Sequence, residues 1–314
     1  MQHATTRPTV AETITAAIVA KLEEGTKPWT RPWTGASVSR PLRACGMPYQ
    51  GINVLWLWMA AEAAGHGSPF WITYRQSQLL GGQVRKGERG TVAIFYRTYQ
   101  AEETDEGVEG EDAGGRTRRV LKSFTVFNAC QIDGLPGSFF PEPRPLPLPT
   151  ERDGILDAFF AAIPARIRHC GAEAFYSPVP DQVTMPQPGF FRDLDHYRAT
   201  LAHELSHWTG HDSRLARQLG GRFGSDAYAM EELVAELSSA MLGAELGLPV
   251  EHLDHHASYL ASWLKVLKAD SRVILTVAAK AEEAASLLLR LGRGDASAAA
   301  VAGAPFEENE ALAV

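Results

Sequence analysis

The stretch ATLAHELSHWTGHDSRL, residues 199–215, places His203 and His207 four residues apart with Glu204 beside the first. Two imidazoles grip one ion from a single backbone segment only if that segment is an α-helix, where residues i and i+4 stack on one face. The H-E-x-x-H spacing therefore demands a helix with one face set aside for chemistry. The periodicity agrees: Leu194, Tyr197, Leu201, Leu205 and Trp208 form an apolar stripe, and His203 and His207 fall opposite it, near Ala199 and Ser206. Asp193 reads as the N-cap and Gly210 as the stop. In this pattern the histidines bind a divalent metal, Glu204 takes a proton from metal-bound water, and a carbonyl is the group attacked.

A third ligand has to come from elsewhere. The longer pattern ending in a third histidine fails, because Ser213 stands at that position. His211 lies past the helix-ending glycine. In YAMEELVAELSSAMLGAEL, the residues Met230, Leu233, Val234, Leu237, Met241 and Ala244 form an apolar face, while Glu232, Glu236, Ser239 and Gly243 form a separate stripe and Glu231 points away from it. This gluzincin-like arrangement favours Glu232 as the ligand and Glu236 as hydrogen-bond acceptor for a ligand histidine. His211 and Glu231 remain the alternatives. Tyr228 and His211 are candidate donors to a developing oxyanion. Zinc suits the ligand set best, and manganese, cobalt or nickel are also accepted by imidazole and carboxylate.

The N-terminal third has a different character. Residues 1–100 carry 11 Lys/Arg against 5 Asp/Glu, whereas the remainder carries 19 against 32. Five of the seven tryptophans fall in the same hundred residues. Rings that stack bases beside cations that neutralise phosphates are what single-strand binding needs. The candidate DNA-contacting residues are Trp29, Trp33, Tyr49, Trp71, Tyr74, Arg75, Arg85, Lys86 and Arg89. Trp29 and Trp33 sit in a Pro-rich basic stretch where exposure is expected. No recognition helix for duplex DNA is evident.

Along the chain, Thr9–Glu12 fits a capping box opening a helix over about 10–24. YQGINVLWLWMAAEAAG reads as a second helix and SPFWITYRQSQLLGG as a third. Two strands follow in GTVAIFYRTY and RRVLKSFTVFNACQID, around a mobile acidic loop at 101–118. GILDAFFAAIPARI reads as helix, AFYSPVPDQVTMP as one or two short strands, and the chain from Asp193 to about 291 as mostly helix broken by Gly-rich turns at 220–224 and 243–247. The expected organisation is an α+β single-strand-binding domain at 1–135, a Pro-rich linker at 136–152, a mostly helical zincin-like domain at 153–292, and a flexible tail at 293–314. Cys45, Cys130 and Cys170 form no C-x-x-C and are expected as partly buried thiols. The longest apolar run is too short to span a bilayer and no signal region opens the chain, so the expected location is the cytoplasm, with no membrane partner. Oligomeric state is not written in the sequence.

The segments LEEGTKPWTRPW, YQGINVLWL, WITYRQSQLLGGQVRKGERGT, HELSHWTGHDSRL and YAMEELVAELSSAML together resemble the ArdC-type antirestriction proteins of conjugative plasmids, and the N-terminal part is similar to that of TraC-type plasmid primases. The resemblance implies a single-stranded-DNA-binding domain followed by a zincin-like metallopeptidase domain. It also implies a role in protecting incoming plasmid DNA from host restriction, with host restriction–modification proteins as further candidate partners. The metal motif carries over onto His203, Glu204 and His207. The second-helix acid carries over onto Glu232 across a Gly-rich insertion, GGRFGSD. A non-enzymatic DNA-coating protein with a purely structural metal is the alternative function.

Overall fold

The computed structural model describes residues 8–29, 40–100, 117–141, 148–217, 225–248 and 256–294. Trp33, most of the acidic loop, the Gly-rich insertion and the tail from 295 lie outside them.

Helix α1 (Val10–Glu23) opens on the expected capping box, in which the Thr9 side chain accepts from the Glu12 N–H and Glu12 accepts from the Thr9 N–H. Its buried Ile14, Ile18 and Leu22 fall on one side at helical spacing. Helix α2 (Ile52–Ala64) follows. Strand β1 (Trp71–Thr73) runs directly into helix α3 (Tyr74–Leu79), because Thr73 and Gln76 form a second capping box. The expected third helix thus begins as a strand. Strands β2 (Gln83–Val84), β3 (Thr91–Gln100), β4 (Thr117–Asn128) and β5 (Ile132–Asp133) complete the N-terminal part. One antiparallel sheet has the order β1-β4-β3, and β2 pairs with β5.

Helix α4 (Pro149–Ala161) stops short of the expected end, since Pro164 cannot continue it, and Arg166–His169 becomes strand β6. With β7 (Phe175–Ser177) and β8 (Gln182–Met185) it forms a sheet of order β6-β8-β7. Helices α5 (Leu194–Trp208), α6 (Asp226–Leu246), α7 (His256–Ala269) and α8 (Val273–Arg293) follow. Helix α6 runs through Gly243, where a break was expected. The fold is mixed α+β. No described helix is long and apolar enough to cross a membrane.

Two cores meet at α6 and α8. The larger joins Ile14, Ile18, Leu22 and Trp29 to Val54 and Leu55 of α2 and to Leu233, Leu237, Trp263 and Ala278 of α6–α8. The second packs Phe159, Val183, Met185, Leu201, Leu205 and Trp208 against Leu288. The Pro-rich segment therefore separates two stretches of chain that nonetheless share a core. Cys45 and Cys170 are exposed and Cys130 is half-buried, a less buried set than expected.

Candidate metal centre

Helix α5 starts where Asp193 accepts the His196 N–H at 2.9 Å and ends one residue before Thr209. Leu201, Leu205 and Trp208 enter the second core as expected, while Leu194, at the first turn, is exposed. The other side of α5 faces α6, and small residues allow the approach: Ser206 Oγ and Ser238 Oγ lie 3.0 Å apart. Polar side chains between these helices are therefore buried and must find partners within the protein.

They find them in a compact set. The Nε2 atoms of His203 and His207 face each other at 3.2 Å. Glu232 Oε2 lies 3.6 Å from His203 Nε2, and Glu232 Oε1 lies 3.7 Å from His207 Nε2. Two nitrogen ligands on adjacent corners of a tetrahedral site, each about 2.0–2.1 Å from a metal, stand roughly 3.3 Å apart. The three donors thus converge with nearly the edge lengths that a divalent transition metal requires, and their chemistry, two imidazoles and a carboxylate, suits such an ion. No other cluster of this kind occurs among the described residues.

Around the triangle stands a ring of supporting groups. Glu231 turns toward the site, contrary to the expectation that it points away: its Oε1 lies 3.3 Å from His207 Nδ1. The Arg217 guanidinium holds Glu231 through hydrogen bonds of 2.6 and 3.1 Å and also reaches Thr209 Oγ1 and the Ser206 carbonyl. Glu236 Oε2 lies 3.8 Å from His203 Nδ1, longer than the expected hydrogen bond. Its Oε1 accepts from Lys27 Nζ at 2.6 Å and from Trp29 Nε1 at 3.1 Å. His211 is engaged with Ser213 and takes no part in the cluster. The Tyr228 hydroxyl sits 3.1 Å from that of Tyr259, close to Glu232, and burial pushes its pKa up.

Glu204 is buried beside the two histidines. Burial raises its pKa, and His203 and His207 oppose that rise only in part. For Glu232, burial also pushes upward, but the attraction of both nearby histidines wins and holds the carboxyl far below its ordinary range. Burial would depress His207, yet Glu231 and Glu232 raise it well above the usual imidazole value. The two carboxylates are thus driven in opposite directions at one site.

The DNA-binding candidates divide. Trp29, Tyr49 and Trp71 are core residues, exposed by only 1, 4 and 2 %. The Trp29 indole packs edge-on against Trp263, and its N–H is given to Glu236. The Tyr49 hydroxyl donates to the Trp71 carbonyl at 3.1 Å, beneath the Arg43 guanidinium. Stacking on a base needs an open ring face, so these three are corrected from DNA-contacting residues to structural ones. Apolar neighbours outweighed the basic Pro-rich context that suggested exposure. Tyr74, Arg75, Arg85, Lys86 and Arg89 are exposed and lie on α3 and the turn after β2, elements joined where Gln83 meets the Tyr74 hydroxyl. Arg85 is paired with Glu88 and Asp133, whereas Arg75, Lys86 and Arg89 form no ion pair among the described residues.

An H-E-x-x-H helix completed by a glutamate from the next long helix is a zincin-like constellation, and the family described as zincin-like metallopeptidase matches residues 155–280. The N-terminal domain of the anti-restriction factor ArdC matches residues 8–127. The antirestriction ArdC protein of plasmid R388 is 41% identical. Its metal-free crystal structure aligns with a TM-score of 0.77 and its Mn(II)-bound structure with 0.73, each over 91% of this chain and 98% of that one. Protein y4eC of Sinorhizobium fredii (strain NBRC 101917 / NGR234) is 44% identical over 253 residues, 80% of this chain and 81% of its own length. A DNA primase TraC of Escherichia coli is 40% identical over 259 residues, 78% of this chain but only 23% of the primase. The chain belongs to the ArdC family of antirestriction proteins.

Proposed function

We propose that this chain is an antirestriction factor that binds single-stranded DNA and carries a metal-dependent peptidase-type site, protecting incoming plasmid DNA from host restriction. The observation that carries the reading is the convergence of His203, His207 and Glu232 within one ion's reach, with Glu204 buried beside them. His203, His207 and Glu232 are the ligands. Zinc fits the donor set, and manganese is supported by the Mn(II)-bound R388 relative. The metal would acidify a bound water and polarise the carbonyl under attack. Glu204 would be the residue to take up that proton, its basicity raised by burial. Tyr228, kept protonated beside Glu232, is the donor for developing negative charge. The DNA-facing surface is the one carrying Tyr74, Arg75, Arg85, Lys86 and Arg89.

A second reading has its own support. Burial of His203 and Glu204 suits a metal that only pins α5 to α6 while a DNA-coating surface does the protecting. The substitution Glu204→Gln separates the two, since it keeps shape and ligands. A restriction challenge with unmodified plasmid, scored beside metal content, should show protection abolished with metal retained. Full protection by a metal-loaded Glu204→Gln protein would instead establish the structural role.

A further inference from the structure

Glu236 is 1 % exposed, and its partners are unusual. Lys27 and Trp29 come from the N-terminal region, more than two hundred residues away in sequence, and both end on Glu236 Oε1. The Oε2 of Glu236 lies 3.8 Å from His203 Nδ1, on the ring edge opposite the nitrogen that joins the ligand triangle. Lys27 is itself buried, with its ammonium 6.0 Å from the centre of the Trp263 ring that Trp29 abuts. A buried lysine–glutamate pair is a costly way to fasten a segment to a helix, since well-packed apolar residues do that as well or better. An ion pair at this place can do what an apolar pair cannot, which is to orient a carboxylate. A carboxylate behind a ligand imidazole fixes which ring nitrogen carries the proton and how the ring is aimed.

We propose that Lys27 and Trp29 are positioning residues of the metal centre, acting through Glu236 on His203, so that the N-terminal region sets part of the metal affinity. The inference rests on His203, His207 and Glu232 being the ligands. Two donors on one oxygen hold the Glu236 carboxylate in place, with its other oxygen 3.8 Å from His203 Nδ1. Replacing Lys27 deprives the buried carboxylate of its charged donor and loosens its orientation, and the imidazole loses its fixed backing.

The test is Mn2+ titration by calorimetry on the full chain. Lys27→Met and Glu236→Gln should each weaken binding by about tenfold or more. Trp29→Phe, which keeps an aromatic ring and removes the N–H, should weaken it by a smaller factor. Because Lys27 acts through Glu236, the double variant Lys27→Met/Glu236→Gln should bind no more weakly than Glu236→Gln alone. That double variant removes both charges of the buried pair, so it guards against a single variant that fails to fold. A merely structural fastening would leave Mn2+ affinity within twofold of the parent in Lys27→Met and Trp29→Phe, or would give effects that add in the double variant, and either result overturns the proposal. A parent chain that binds no Mn2+ or Zn2+ overturns the ligand assignment itself, a separate failure.

Discussion

His207 is the residue whose chemistry is most open to test. Burial favours its neutral form, but Glu231 and Glu232 outweigh that and raise its pKa well above 6.5. In the metal-free chain the imidazole therefore holds a proton near neutral pH, and a metal must displace it. Metal binding near neutral pH should release protons, and affinity should rise with pH. Calorimetry in two buffers of different ionisation heat reads the proton directly, and no buffer dependence would contradict the account. The same shift has a stability sign. A raised folded pKa stabilises the metal-free fold fully below about 6.5, and that contribution fades as pH climbs through the folded value. At this scale the sequence is legible where a backbone period fixes the geometry: His203, Glu204 and His207 share one helix, and Glu232 follows from the stripe on the next. Glu231 departs from its expected direction, because side-chain torsions swing a carboxylate across the angle that a helical wheel assigns. Lys27, Trp29 and Arg217 are not legible as neighbours of the metal centre, since no period links them to α5 and only the folded chain brings them there.

Among the elements, α6 and α8 do most of the positioning. The Glu232–Gly243 stretch of α6 is buried throughout, which is why its acids must face α5 and one another rather than water. Helix α8 serves both cores, and its last turn approaches α4 closely: a Cβ at Gly292 would lie 2.3 Å from the Phe159 ring. Phe159 is itself buried, so the ring has little room to yield. Gly292→Ala should destabilise the fold by roughly 1–3 kcal/mol despite the better helix propensity of alanine, a balance that denaturant unfolding can read. A neutral or stabilising result would mean that α4 shifts freely. Capping residues make α1 legible to within a residue, and Pro164 is the signal that separates α4 from β6. Strand β1 is hidden in the sequence because three residues are too few to set a period against the helical run that follows them.

For the whole molecule, the charge asymmetry of the sequence survives folding only in part. Lys27 and Arg40 are buried against Glu236 and Glu282, so they add nothing to an outer basic surface. Among the described residues, an exposed basic face is formed by Arg75, Lys86 and Arg89 beside Tyr74. Lys86→Glu with Arg89→Glu should weaken binding to an unpaired oligonucleotide and flatten its salt dependence by about 1.4 in log–log slope, at roughly 0.7 for each phosphate no longer neutralised. Unchanged affinity would move the DNA surface elsewhere. The metal centre, by contrast, draws α5, α6 and the N-terminal region into one structure. Anomalous diffraction from crystals soaked in MnCl2 or ZnCl2 tests it most directly. The expected result is a single strong peak about 2.0–2.2 Å from the Nε2 atoms of His203 and His207 and from a Glu232 oxygen. An empty site under saturating metal, or a peak that bypasses Glu232, would contradict the account.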